Sequence, residues 1–359
     1  MKILKKNKKS HLTKTMFLDE GVDIARYDHV RYPIIDKITE KQLGFFWRPE
    51  EVDVSKDKKD FNELTNHEQH IFTSNLKRQI MLDSVQGRAP NIAFLPISSL
   101  PEIETWIETW SFFETIHSRS YTHLIRNVYP NPSIIFDGLL DIKEILECSN
   151  DIAKYYDTLI DYNNSQTSRN SYAHKKALWM CLQAANALEG IRFYVSFACA
   201  WAFAELKKME GNAKIIKFIA RDENVHLAST TYILKTLIKE DKDFIKISKE
   251  TEKESTQLYI DVINQEKEWA EYLFKDGSMI GLNEKLLADY VEWIGAKRMR
   301  AIGLTCPFSV SQLNPLPWTE KWISGKNVQP APQETEISSY VVGGVKQDVD
   351  ENTLSKLSL

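Results

Sequence analysis

The sequence predicts an all-α protein. Three observations carry that expectation: glycine and proline are scarce, at 13 and 12 of 359 residues, long stretches contain neither, and no segment sustains the alternation of a half-buried strand. Helices are expected near 36–45, 61–86, 101–128, 151–163, 172–207, 211–239, 243–275 and 282–302. Several exceed twenty residues, longer than the average globular helix. The stretch 161–169 is polar (Asn163, Asn164, Ser165, Gln166, Thr167, Ser168) and reads as a loop between two helical halves. A helical domain is expected over 1–325 and a flexible tail over 326–359, where Pro330, Pro332, the pair Gly343-Gly344 and scattered acids replace any helical period. At the extreme end Leu354, Leu357 and Leu359 restore an apolar spacing, as in a peptide that docks into a partner's groove.

Composition narrows the function classes. Hydrophobic residues make up 43% of the chain, enough for a substantial core. A net charge of −4 supplies no basic excess, so a nucleic-acid-binding face is not expected. The longest apolar run, 193–204, is too short to span a bilayer, and the basic N-terminus lacks the apolar core of a signal peptide. The expectation is a cytoplasmic protein with no membrane partner. Cys148, Cys181, Cys199 and Cys306 form no Cys-x-x-Cys pair, which argues against a zinc ribbon or a disulfide scaffold.

The chemistry is concentrated in two tetrapeptides, Glu114-Thr115-Ile116-His117 and Glu223-Asn224-Val225-His226. Each is Glu-x-x-His inside a long expected helix, where positions i and i+3 share a face. Carboxylate and imidazole can then reach one metal. Ordinary residue usage gives about half such a match by chance in a chain this size, so the motif alone decides little. The neighbourhood adds weight: Asp83 precedes Glu114 by 31 residues and Glu189 precedes Glu223 by 34, each a carboxylate in an otherwise apolar helix stretch. A lone charge there is costly. Two helices giving one carboxylate each and two giving Glu-x-x-His make the ligand set of a carboxylate-bridged dimetal site in a ferritin-like four-helix bundle. Four carboxylates neutralise two divalent cations, and oxygen-rich ligation with histidine favours iron or manganese over zinc or copper. His67-Glu68-Gln69-His70 has similar letters but lies in a polar helix start and reads as solvated.

Tyr121 lies four residues after His117 and seven after Glu114, on the ligand face and close to the metals. Most tyrosines in such places are core. This one could also lose an electron and a proton to become a neutral radical. Phe193, Phe197 and Ile219 are spaced to form an apolar pocket around it, although such a trio is more often plain core.

Several motifs then resemble one family. Phe45 to Val52 (FFWRPEEV), Asp83 to Arg88 (DSVQGR) and Glu114 through Tyr121-Thr122-His123 look like the small subunit of bacterial and phage class Ia ribonucleotide reductases. So do Asn186 to Glu189 through Cys199, Gly211 to Lys214 through His226, and Asp276 to Asn283, so that the resemblance runs from about residue 17 to the C-terminus. It implies that Asp83, Glu114 and His117 bind one iron and Glu189, Glu223 and His226 the other, with manganese as the competing metal. It implies that dioxygen reacts there and that Tyr121 stores the resulting radical. Trp47 would deliver an electron and lie on the long radical route, Asp222 would link a ligand histidine to it, and Tyr340 and Glu334 would relay the radical from the tail. The resemblance further implies a homodimer whose C-terminal residues dock on the large subunit, where ribonucleotides are reduced. Two departures stand out: the region 161–170 is shorter than in enterobacterial members, and Phe113 replaces an expected small polar residue. The competing reading is a di-iron oxygenase or desaturase acting directly on a substrate. It would share the ligands but leave Trp47, Tyr121, Tyr340 and the terminal leucines unexplained. A ferritin-like storage protein would be shorter and lack the tail.

Overall fold

Among the described residues the secondary structure is helical, and pairing of extended segments is limited to isolated bridges between Phe17 and Ser98 and between Met279 and Leu282. The computed structural model describes residues 6–165 and 167–323, so Gln166, Glu334, Tyr340, Leu354, Leu357 and Leu359 lie outside the described residues. After an N-terminal segment come α1 (Pro33–Leu43), α2 (Asp57–Asn62), α3 (Asn66–Gln86), α4 (Ala89–Ala93) and α5 (Pro101–Val128). The middle of the chain forms α6 (Ser133–Asp137), α7 (Lys143–Asn164), α8 (Tyr172–Ala187), a π turn (Leu188–Arg192) and α9 (Tyr194–Glu205). The last part comprises α10 (Glu210–Glu240), α11 (Lys242–Glu250), α12 (Glu252–Phe274), α13 (Glu284–Ala301) and α14 (Glu320–Ile323).

Local chemistry explains the boundaries. Pro33 and Pro101 start their helices where the missing N–H costs nothing. The helix expected over 61–86 is broken before Asn66, because Thr65 accepts from the Glu68 N–H and Glu68 reaches back to the Thr65 N–H, a reciprocal cap. Asn283 and Ser171 cap α13 and α8 through their side chains. The segment expected as one helix over 243–275 divides at Thr251, whose hydroxyl bonds back to the Ile247 carbonyl. The helix expected over 151–163 begins earlier, at Lys143.

The largest departure lies in the middle of the expected helix 172–207. The chain leaves α8 at Ala187, makes the π turn over Leu188–Arg192 and resumes as α9 at Tyr194. Gly190 sits inside this turn, where an added Cβ would come within 3.0 Å of the Leu227 side chain on α10 and 3.2 Å of Arg298 on α13. Such wide turns concentrate at functional sites, and this one carries Glu189. Helices α3, α5, α8 with its π turn, and α10 form the ferritin-like core, with α7, α9, α12 and α13 packed around it. Among the described residues no helix is long and apolar enough to cross a membrane.

Candidate metal centre

The four core helices bring six ionisable side chains to one point. Asp83, Glu114, His117 and Glu223 form one set of donor atoms within 4.8 Å of one another, and Glu114, Glu189, Glu223 and His226 form a second. All six residues are buried. The two sets share Glu114 and Glu223, so these two glutamates stand between two candidate metal positions.

The geometry within the cluster is close. Nδ1 of His117 lies 3.3 Å from Glu114 Oε2 and 3.2 Å from Glu223 Oε1. Nδ1 of His226 lies 2.8 Å from Glu223 Oε2, 3.2 Å from Glu114 Oε1 and 3.7 Å from Glu189 Oε2. Burial disfavours a charged His117, yet its hydrogen bond to Asp222 and the close Glu114 carboxylate outweigh it and lift its pKa to about 10. His226 is likewise raised by the nearby Glu114, Glu189 and Glu223 carboxylates, against the effect of its burial. Glu114, between both imidazoles, is held down at about 2 despite its burial. Burial and the neighbouring carboxylates push Asp83 and Glu223 well above the usual carboxylate range. A cluster that crowds four acids around two bases calls for positive charge at its centre.

Unsatisfied atoms test whether metal ions fit. Both Asp83 oxygens, Glu114 Oε2, Glu189 Oε2, Glu223 Oε1 and His117 Nδ1 are buried without a hydrogen-bond partner among the described residues. Buried polar atoms are normally satisfied. Here the orphans are the inward-facing donors of oxygen-rich ligands with one imidazole on each side, which suits two hard or borderline divalent cations.

A layer of hydrogen bonds orients these donors. Asp222 Oδ2 accepts from Trp47 Nε1 at 2.8 Å and lies 3.2 Å from His117 Nε2, so the expected link between tryptophan and histidine is physically present. Sequence reasoning missed the other members. Gln42 Nε2 contacts His226 Nε2 at 2.7 Å. Trp110 Nε1 donates to Glu114 Oε1 at 3.0 Å and to Glu189 Oε1 at 3.1 Å. Gln86 Nε2 donates to Glu189 Oε1 at 2.6 Å. Trp110 was detectable in principle, since it precedes Glu114 by four residues on the same face; the glutamines carried no comparable signal.

Tyr121 is fully buried, and burial together with the Asp83 and Glu223 charges raises its phenol well above the ordinary value. Its hydroxyl has no hydrogen-bond partner among the described residues. Phe193, Phe197 and Ile219 are fully buried, with the two phenylalanines stacked at 5.6 Å. Phe113 is also buried and meets Phe112 edge-on at 5.7 Å. His67 and His70 stay outside the cluster, where their Nε2 atoms contact the Ser278 and Tyr272 carbonyls at 3.1 and 3.3 Å.

Comparison with known proteins agrees with this architecture. A family model described as ribonucleotide reductase, small chain, matches residues 25–315. The chain is 53% identical to the ribonucleoside-diphosphate reductase subunit beta of Buchnera aphidicola subsp. Baizongia pistaciae, covering 99% of this chain and 98% of the relative. The corresponding subunit of Enterobacteria phage T4 is 41% identical, with 96% and 95% covered. Among solved structures, the ribonucleotide reductase R2 subunit from Clostridium botulinum superposes with a TM-score of 0.80 at 26% identity, covering 90% of this chain and 98% of that one. A Streptococcus sanguinis protein described as dimanganese(II)-NrdF shares the fold, with a TM-score of 0.70 at 19% identity, over 84% of this chain and all (100%) of that one. The relatives do not favour the direct-oxygenase reading. The chain belongs to the ribonucleotide reductase small-chain family.

Proposed function

We propose that this small subunit of ribonucleoside-diphosphate reductase generates and stores a tyrosyl radical at Tyr121 and passes it to the large subunit. The observation that carries this reading is the overlap of the two buried donor sets at Glu114 and Glu223, with the buried Tyr121 phenol beside Asp83. Asp83, Glu114, His117, Glu189, Glu223 and His226 would hold two iron ions, with manganese as the competing pair. When bound, the metal pair supplies the oxidising power of dioxygen. The residues of the chain do the rest. Tyr121 gives up an electron and its phenolic proton, and Asp83 is placed to hold that proton. Phe193, Phe197 and Ile219 contribute apolar bulk that keeps water from the radical. Asp222 fixes the His117 ring and joins it to Trp47, which gives an electron a hydrogen-bonded route inward as the radical passes outward.

Beyond Trp47 the proposed route passes to the tail, where Glu334 and Tyr340 would relay the radical and Leu354, Leu357 and Leu359 would seat the tail on the large subunit. The functional unit is proposed to be a cytoplasmic homodimer. Electron paramagnetic resonance after adding ferrous iron and dioxygen to the apoprotein tests the core of this reading. A signal with tyrosyl hyperfine structure is expected in the native chain and absent in Tyr121→Phe, which should still take up iron. Turnover of Tyr121→Phe with the large subunit would end the tyrosyl mechanism.

A further inference from the structure

We propose that Tyr156, on α7 and outside the four ligand-bearing elements, is a positioning residue for the metal centre: acting through Gln86, it determines which oxygen of Glu189 is offered to the metal. The inference rests on the dimetal reading above.

The relay is a chain of buried groups. Tyr156 OH donates to Gln86 Oε1 at 2.8 Å, and Gln86 Nε2 donates to Glu189 Oε1 at 2.6 Å. Trp110 Nε1 adds a second donor to the same oxygen at 3.1 Å. Glu189 Oε1 is therefore occupied by two N–H groups. Oε2 has no hydrogen-bond partner among the described residues and faces His226 Nδ1 at 3.7 Å. One oxygen is tied back to the protein and the other is free for a metal.

The direction of the relay follows from the chemistry of its groups. A primary amide can present either its oxygen or its nitrogen to a neighbour. An ionised Glu189 accepts only, so Gln86 must turn its NH2 towards it. The amide oxygen then points at Tyr156, whose hydroxyl can donate. Without that hydroxyl the buried amide oxygen would lose its partner, at the desolvation cost of an orphaned acceptor, and the amide would be free to rotate. One aromatic ring supports both donors: Phe94 meets Tyr156 edge-on at 5.8 Å and stacks on Trp110 at 6.2 Å. Exposure is 0% for Glu189 and Gln86, 1% for Trp110 and 2% for Tyr156, so water is poorly placed to replace a lost donor.

The test uses the full-length chain titrated with Co2+, whose ligand-field absorption reports coordination geometry without oxygen chemistry. The native protein should take up two ions per chain. Tyr156→Phe should also bind two, with one site weakened roughly tenfold and an altered absorption envelope as Glu189 gains freedom to chelate through both oxygens. Gln86→Leu should give the same envelope, and the double variant should add nothing to Gln86→Leu, because the tyrosine acts only through the amide. An unchanged spectrum and affinity in Tyr156→Phe would overturn the proposal, as would additive effects in the double variant. If Tyr156→Phe loses helical content, Gln86→Leu alone decides: an unchanged envelope refutes the relay. Failure of the native chain to bind two ions would instead remove the dimetal reading, and this inference with it.

Discussion

At the scale of single residues, Asp222 carries more than one duty on one oxygen. Its Oδ2 accepts from Trp47 and faces His117 Nε2, while Oδ1 takes a longer contact of 3.4 Å from Arg221 Nε. Asp222→Ala should lower metal affinity by about 10- to 100-fold, the usual cost of losing an outer partner, which a competitive chelator titration would detect. The same variant should lose turnover even when metal is supplied in excess, because Trp47 is cut off. Full turnover at saturating metal would dissociate Trp47 from the radical route. The candidate ligands were legible from sequence for a physical reason: Asp83 and Glu189 are acids where an apolar helix face has no other use for them. Gln42 and Gln86 were not, because a neutral amide on a buried face is too ordinary to draw notice. Bridging as such was expected, but that Glu114 and Glu223 are the shared pair was hidden for another reason. Spacing along a helix says which residues face inward, whereas bridging depends on how two helices approach.

At the scale of elements, the start of α10 depends on a helix far away in sequence. Asp57 on α2 accepts from the Gly211 and Asn212 N–H groups at 3.1 and 2.6 Å, and Asp60 accepts from the Met209 N–H at 3.0 Å. Gly211 leaves room for this approach, since a Cβ there would meet the Asp53 carbonyl oxygen at 2.7 Å. Asp57→Ala should destabilise the fold by about 1–2 kcal/mol, as measured by urea unfolding, in line with the loss of a helix cap. Gly211→Ala, which cannot avoid backbone, should cost about 1–3 kcal/mol. The same cap has a pH signature. Burial of Asp57, reinforced by Asp60 and Asp53 and opposed by the backbone donors, raises its pKa from 3.8 to about 6. The folded state then binds this proton more tightly than the unfolded chain, so its contribution is greatest below pH ~4 and declines until pH ~6. Asp57→Asn should flatten the dependence of the urea midpoint in that window, and an unaltered slope would exclude this group as its source. The long helices α3, α5, α10 and α13 could be read from stretches almost free of glycine and proline. The π turn could not, because residues 177–204 are apolar on nearly every side and offer no polar stripe against which a slip would show.

At the scale of the whole molecule, segments remote in sequence close the structure. Met16 N–H donates to the Glu240 carboxylate, the Asp19 N–H donates to the Ser99 hydroxyl at 3.0 Å, and Phe17 bridges Ser98. At the other end Trp322 stacks on Trp201 with ring centroids 6.0 Å apart and donates to Glu205 at 2.9 Å. These contacts were invisible in the sequence, because an irregular segment carries no period to reveal what it covers. They anchor the helical body before residue 324, so a chain ending at 325 should keep its unfolding transition and its metal stoichiometry. It should lose binding to the large subunit, measured by sedimentation of the mixed proteins. Undiminished association of that truncated chain would refute docking through Leu354, Leu357 and Leu359.

The π turn also sets an angle. It spends one residue more on a turn than an α-helix does, so α9 is rotated by about 100° relative to the phase that α8 would have imposed. Residues on the two sides of Glu189 therefore cannot be placed on one helical wheel. Removing a single residue from 190–192 would bring the halves back into phase and swing Phe193 and Phe197 towards other neighbours, with every candidate ligand still present. The length of the chain at this seam is as much a part of the candidate metal site as the acids that line it.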